Sequence, residues 1–124
     1  MLGNTLTFTL SGSGGTAIVC SLINQDGNSS EYLYRDSTSE TRVKIRHSKE
    51  SAKVGELYPI ERHNILASRI VFATPTTTEK FREVSFTIRH RPDDATASVA
   101  DMGEGMGFLT NDNALMLKLI AWEV

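Results

Sequence analysis

The 124-residue sequence predicts an α+β fold: an N-terminal β-hairpin and an antiparallel sheet of about six to seven strands, followed by two C-terminal helices. Three observations lead there. Up to Arg91-Pro92, apolar residues alternate with period two in short segments punctuated by Gly, Asp, Asn and Ser. After Pro92 the spacing shifts to a helical stripe of Val99, Met102, Met106 and Leu109. No repeat or low-complexity tract divides the chain, so residues 1–124 read as one domain, with hairpin and sheet in 1–92 and helices in 93–124.

Residues 6–10 alternate cleanly and read as a strand. Residues 11–15 form a glycine-rich turn, and 16–22 return as the second arm of the hairpin. Residues 24–30 form a loop with an Asp26-Gly27 turn signal. Residues 31–35 make a short strand with Tyr32 and Tyr34 on one face, and 37–40 turn the chain into a strand at 41–49. A polar turn at 50–56 leads to 57–72, β-rich in composition, as two strands or one bent strand with Pro59 at its start or on an edge. A threonine-rich loop at 73–80 precedes the last strand at 81–90. Asp93 or Asp94 is placed to cap the first helix. Asn111-Asp112-Asn113 breaks and recaps, and Leu115, Leu119 and Trp122 continue the apolar stripe. Gly103 and Gly107 cost helix stability unless another backbone comes close. The helices are therefore expected to pack on the apolar face of the sheet and on a second subunit.

The strand at 41–49 carries the main functional signal. Val43 and Ile45 face one way, while Arg42, Lys44 and Arg46 stack on the other. A one-residue slip would put three cations in the core, so the register is fixed. The formal net charge of −2 hides a segregation: the chain is basic from Arg42 to Arg69 and acidic after Pro92. This pattern suggests a surface for a polyanion. If the strands are neighbours, Arg62, Asn64, Ser85 and Thr87 join Lys44 and Arg46 on the polar face. Cations for phosphates would then lie beside amides and hydroxyls for base edges, as in readers of single-stranded or hairpin-loop RNA, with Phe81 on the same side for stacking.

Other chemistries find less support. Cys20 lies in an apolar run and reads as a buried, inert thiol. His47, His63 and His90 sit on separate strands. They lack metal-binding spacing and lie near basic residues, so no metal site is expected. The glycine clusters at 12–15 and 103–107 match no phosphate-binding loop, and no serine sits in a nucleophile elbow, so neither catalysis nor a cofactor is expected. No apolar run is long enough to span a membrane. The start, without a basic region leading into an apolar core, leads to the expectation of a full product made in a cytosol.

The ordered set of these features resembles the coat proteins of the small single-stranded RNA bacteriophages, the leviviruses. It includes the hairpin around residues 11–16, the loop Asn24-Gln25-Asp26-Gly27, the basic alternating strand, the threonine-rich loop and the two closing helices. Ile23-Asn24-Gln25-Asp26-Gly27, Arg46-His47-Ser48-Lys49-Glu50-Ser51, Glu61-Arg62-His63-Asn64 and Leu119-Ile120-Ala121-Trp122-Glu123 stand nearest a Caulobacter-infecting member. The resemblance implies a dimer with one continuous sheet and interlocked helices. It further implies an icosahedral shell assembled in the bacterial cytoplasm, with genomic RNA on the inner sheet face. An operator hairpin as a second RNA partner, bound to repress replicase translation, is implied as well. The sheet positions that match on this resemblance are Lys44, Arg46, Arg62, Asn64, Ser85 and Thr87, and Arg42 from the strand alternation completes the RNA-facing set. The competing reading is a cellular RNA-binding module that does not assemble.

Overall fold

The computed structural model describes residues 2–55 and 58–123. Six strands form one antiparallel sheet in chain order: β1 (Thr5–Leu10), β2 (Thr16–Gln25), β3 (Ser29–Arg35), β4 (Ser39–Lys49), β5 (Glu61–Val71) and β6 (Lys80–His90). Two helices follow, α1 (Thr96–Thr110) and α2 (Asn113–Ile120). The fold class is therefore as the alternation and its change of period predicted.

Local chemistry sets each turn. Between β1 and β2 the chain folds back so tightly that a Cβ at Gly15 would stand 1.7 Å from the Leu10 carbonyl oxygen. Between β2 and β3 the Asp26 carboxylate accepts hydrogen bonds from the Asn28 and Ser29 amides at 2.8 and 2.7 Å. Asp36 does the same between β3 and β4, accepting from the Thr38 and Ser39 amides at 2.7 and 2.8 Å. These turns are shorter than the sequence reading allowed. Polar Asn24, Gln25, Ser29 and Ser39 show no apolar alternation, yet ladder pairing runs through them up to the aspartate-braced turns. The segment read as 57–72 is a single strand, Glu61–Val71, with Pro59 ahead of it. Glu56 and Leu57, placed by the sequence reading in the turn and at the strand start, lie outside the described residues.

Cross-strand register puts Leu6, Phe8, Ile18, Cys20, Leu22, Tyr32, Val43, Ile45 and Ala67 on one face. That face is the core: Cys20, Tyr32 and Val43 are almost fully buried, with Leu6, Phe8, Leu10 and Leu22 packed against the cluster. The Tyr32 hydroxyl donates to the Gly3 carbonyl at 2.9 Å, which fastens the hairpin end over β3. The inward orientation of Val43 and Ile45 is as expected, but their cover is not. The β1–β2 hairpin packs on them, because the curl of the sheet brings its own first strands over its middle.

The helices rest elsewhere. No residue of α1 or α2 is buried, and Met102, Phe108, Ile120 and Trp122 are largely exposed. α1 meets β6 through Gly103, where a Cβ would lie 3.1 Å from Ile88 Cδ1 and 3.6 Å from Phe86 Cζ. The expected aspartate cap falls one residue early: Asp94 belongs to a turn closed onto the Arg91 carbonyl, and the N-cap of α1 is Ala95. At α2 the expected recapping holds, with Asp112 accepting from the Ala114 and Leu115 amides at 2.9 and 3.3 Å.

Candidate nucleic-acid interface

Hairpin and helices both occupy the apolar side of the sheet, so its other face is left open. Register assembles that face in rows across β4, β5 and β6. Arg46 pairs with Asn64 and Asn64 with Thr87; Lys44 pairs with Leu66 and Leu66 with Ser85; Ser48 pairs with Arg62 and Arg62 with Arg89. Directly paired residues share a face. All seven residues singled out in the sequence, Arg42, Lys44, Arg46, Arg62, Asn64, Ser85 and Thr87, therefore lie on one surface. At its end, Asn28, Ser29, Arg46, Ser48 and Arg62 help line a shallow depression of about 520 Å³.

Their availability differs. Arg46 is exposed, and Lys44 and Arg62 are partly exposed. Arg42 is engaged: its Nη1 lies 2.5 Å from Glu31 Oε1 and its Nε 2.6 Å from Glu40 Oε1. Hydrogen bonds donated to Glu31, then to Glu40, hold its guanidinium pKa above the ordinary value. Asn64 is only 2 % exposed, and its Nδ2 amide donates toward Ser85 Oγ at 2.9 Å, Thr87 Oγ1 at 2.9 Å and the Phe86 carbonyl at 3.1 Å. Its Oδ1 accepts from Arg46 Nη2 at 3.3 Å. Asn64 thus ties the serine, the threonine and the arginine together instead of presenting a free amide.

Sequence reasoning missed two features of this face. Glu31 and Glu40 share it with Arg42, a consequence of the β3–β4 register that period-two alternation within one strand does not reveal. Arg89 also lies here, gripped by the Glu50 carboxylate at 2.9 and 2.6 Å. Phe81 is on the expected face and exposed. It stands four residues along β6 from Ser85, about 13 Å away.

The opposite face holds the histidines, which the register brings together. His63 Nδ1 is 2.8 Å from His47 Nδ1, and His63 Nε2 is 2.9 Å from His90 Nε2. Burial, then the His47 and His90 charges, pushes the His63 pKa below the ordinary imidazole value. Cys20 is fully buried, as expected, and burial pushes its thiol pKa up.

The sequence model of the family described as "Phage phiCb5, coat protein" matches residues 3–91. The chain belongs to this phage coat protein family. No curated protein matches it. Among solved structures, this coat protein resembles the bacteriophage EMS014 coat protein with a TM-score of 0.62 at 13 % identity, over 87 % of this chain and 71 % of that one. It also resembles the virus-like particle of bacteriophage PQ-465 with a TM-score of 0.55 at 15 % identity, over 85 % and 87 % of the two chains. At such identities the likeness is one of fold, and the fold is that of phage coat proteins. The coat protein is accordingly a structural protein of the capsid, located in the virion, and not an enzyme. This membership decides against the cellular module that competed with it.

Proposed function

We propose that this coat protein dimerises through β6, assembles into a closed icosahedral shell in the bacterial cytoplasm, and holds single-stranded genomic RNA against the open face of its sheet. The observation that carries the RNA assignment is the one-sidedness of the fold. Hairpin and helices lie on the apolar face, and the bare face carries Lys44, Arg46 and Arg62. Folding gains nothing from stacking these cations, and a polyphosphate offsets their repulsion.

The dimer rests on what the single chain leaves uncovered. Among the described residues β6 pairs on one side only, so its other edge presents unpaired backbone groups. On the apolar side Ile65 is 44 % and Val84 61 % exposed, α1 exposes Met102, Phe108 and Leu109, and Trp122 is exposed just beyond α2. A second copy joined edge to edge at β6 would continue the sheet and lay its helices on these residues.

Within the RNA-facing set, Lys44, Arg46 and Arg62 are the phosphate contacts. Ser85 and Thr87 offer exposed hydroxyls, Asn64 orients its neighbours, and Arg42 contributes little net charge while Glu31 and Glu40 hold it. This distribution favours packaging by phosphate contacts over base-specific reading. Repression of replicase translation through an operator hairpin is a second role for the same face, one that asks the Asn64 amide to exchange partners.

The test is the Lys44→Ala/Arg46→Ala double variant, studied by size-exclusion chromatography, electron microscopy and RNA binding across salt concentrations. The expected result is a folded dimer with weakened RNA binding, its logarithmic salt slope reduced by about 0.7–0.9 for each lost phosphate contact. Unchanged RNA affinity would refute the assignment of this face. A wild-type chain that stays monomeric at capsid-forming concentrations would refute assembly.

A further inference from the structure

On the apolar face, near the ends of β4, β5 and β6, an array of nitrogen and oxygen ligands has no role in the shell or the RNA surface described above. His63 stands at its centre, facing His47 through Nδ1 and His90 through Nε2. Glu61 pairs with His90 in the ladder, and its Oε2 lies 3.7 Å from His90 Nε2. One ligand atom from each of Glu61, His63 and His90 falls within 4.8 Å of the others, and all three residues are partly buried.

We propose that Glu61, His63 and His90 form a binding site for a divalent transition-metal ion of the zinc type, with His47 positioning His63. Two imidazoles and one carboxylate are a ligand set suited to such an ion, and one that magnesium and calcium, which prefer oxygen, do not favour. Ligands placed tetrahedrally about 2.0–2.1 Å from zinc stand about 3.3 Å apart. The observed separations of 2.9 Å between the two imidazole nitrogens and 3.7 Å between carboxylate and imidazole bracket that value, so small side-chain rotations open the site. The far nitrogens are also provided for. His90 Nδ1 lies 3.0 Å from the Arg91 carbonyl oxygen, so it donates there and leaves the Nε2 lone pair for the ion. With Nε2 on the ion, His63 donates its Nδ1–H to His47 Nδ1. An adjacent cavity of about 260 Å³, lined in part by Asn28, His47 and Ser48, has room for a water as fourth ligand.

Two of the basic neighbours lie clear of the site. Arg62 and Arg89 alternate onto the opposite face, and Arg89 is held there by Glu50. Lys49 approaches the other oxygen of Glu61, Oε1, at 3.9 Å with a largely exposed side chain. A bound ion would clamp β5 to the C-terminal end of β6, the strand that leads into the helices.

The experiment uses the full chain, freed of metal with a chelator. It is titrated with Zn²⁺ by calorimetry and with Co²⁺ by visible absorption, and Mg²⁺ and Ca²⁺ serve as controls. The expected result is saturable binding of one Zn²⁺ per chain, a Co²⁺ spectrum of low coordination number, and an unfolding temperature raised by Zn²⁺ but not by Mg²⁺ or Ca²⁺. A His63→Gln/His90→Gln double variant should lose the binding, and His47→Gln should weaken it by about tenfold or more. Circular dichroism confirms that each variant is folded. No saturable Zn²⁺ binding by the wild-type chain overturns the proposal whatever the variants do. Unaltered affinity in the folded double variant overturns it equally.

Discussion

Gly103 of α1 lies against Ile88 of β6, close enough that an added Cβ would stand 3.1 Å from the Ile88 Cδ1 atom. This contact, with Phe86 beside it, seats α1 on its own sheet. The atom in the way is the end of a flexible side chain, so Gly103→Ala asks Ile88 to give by a few tenths of an ångström. It also regains up to about 1 kcal/mol of helix propensity. The expected outcome is unchanged or slightly raised stability in thermal denaturation. Gly103→Leu cannot be accommodated that way and should lift α1 from β6, costing about 1–3 kcal/mol.

Gly107 offers a test that separates chain folding from the proposed dimer. A Cβ there meets nothing within 4 Å in the single chain. Gly107→Trp should therefore leave the secondary structure intact while lowering the dimer fraction, as measured by light scattering after size exclusion. Dimers of normal stability would show that this part of α1 lies outside the interface.

Removing the Asn64 amide has a structural consequence first. Asn64→Ala leaves the Ser85 and Thr87 hydroxyls and the Phe86 carbonyl without their shared donor. The expected cost is about 1–3 kcal/mol, read by denaturant unfolding. The salt slope of RNA binding should stay near the wild-type value, because the amide carries no charge.

Glu31 restrains a cation on the open face. Glu31→Gln leaves Arg42 with Glu40 as its remaining carboxylate and adds one net positive charge to the surface. RNA binding should strengthen at low salt, and its logarithmic salt slope should steepen by up to about 0.7–0.9. A slope identical to wild type would show that Arg42 does not reach RNA phosphates.

Asp36 gives a pH dependence with a definite sign. Hydrogen bonds from the Thr38 amide and hydroxyl, then the Ser39 amide, hold its carboxyl well below the usual carboxylate range. A folded-state pKa below the unfolded value of about 3.9 means the stabilisation is complete above that value and is lost as pH falls toward the folded pKa. Asp36→Asn should therefore be less stable than wild type near pH 7. The gap should narrow as unfolding is measured at successively lower pH below about 4.

Local pattern carried much of this molecule. The alternation around Val43 and Ile45 set which side of β4 turns inward, since a slip would bury three cations. The shift to helical spacing after Pro92 located both helices, and the short-range chemistry of Asp112 marked the break between them. The seven polar-face residues could be chosen because strand periodicity assigns a side to every position once neighbours are known. Tertiary structure decided the rest, because each remaining feature depends on groups far apart in the chain. Curl of the sheet, not the helices, covers Val43 and Ile45. Register brings Glu31 to Arg42 and Glu50 to Arg89, which sorts held cations from available ones. The same register joins His63 to His47, 16 residues away, and to His90, 27 residues away, a meeting that no spacing in the sequence reveals.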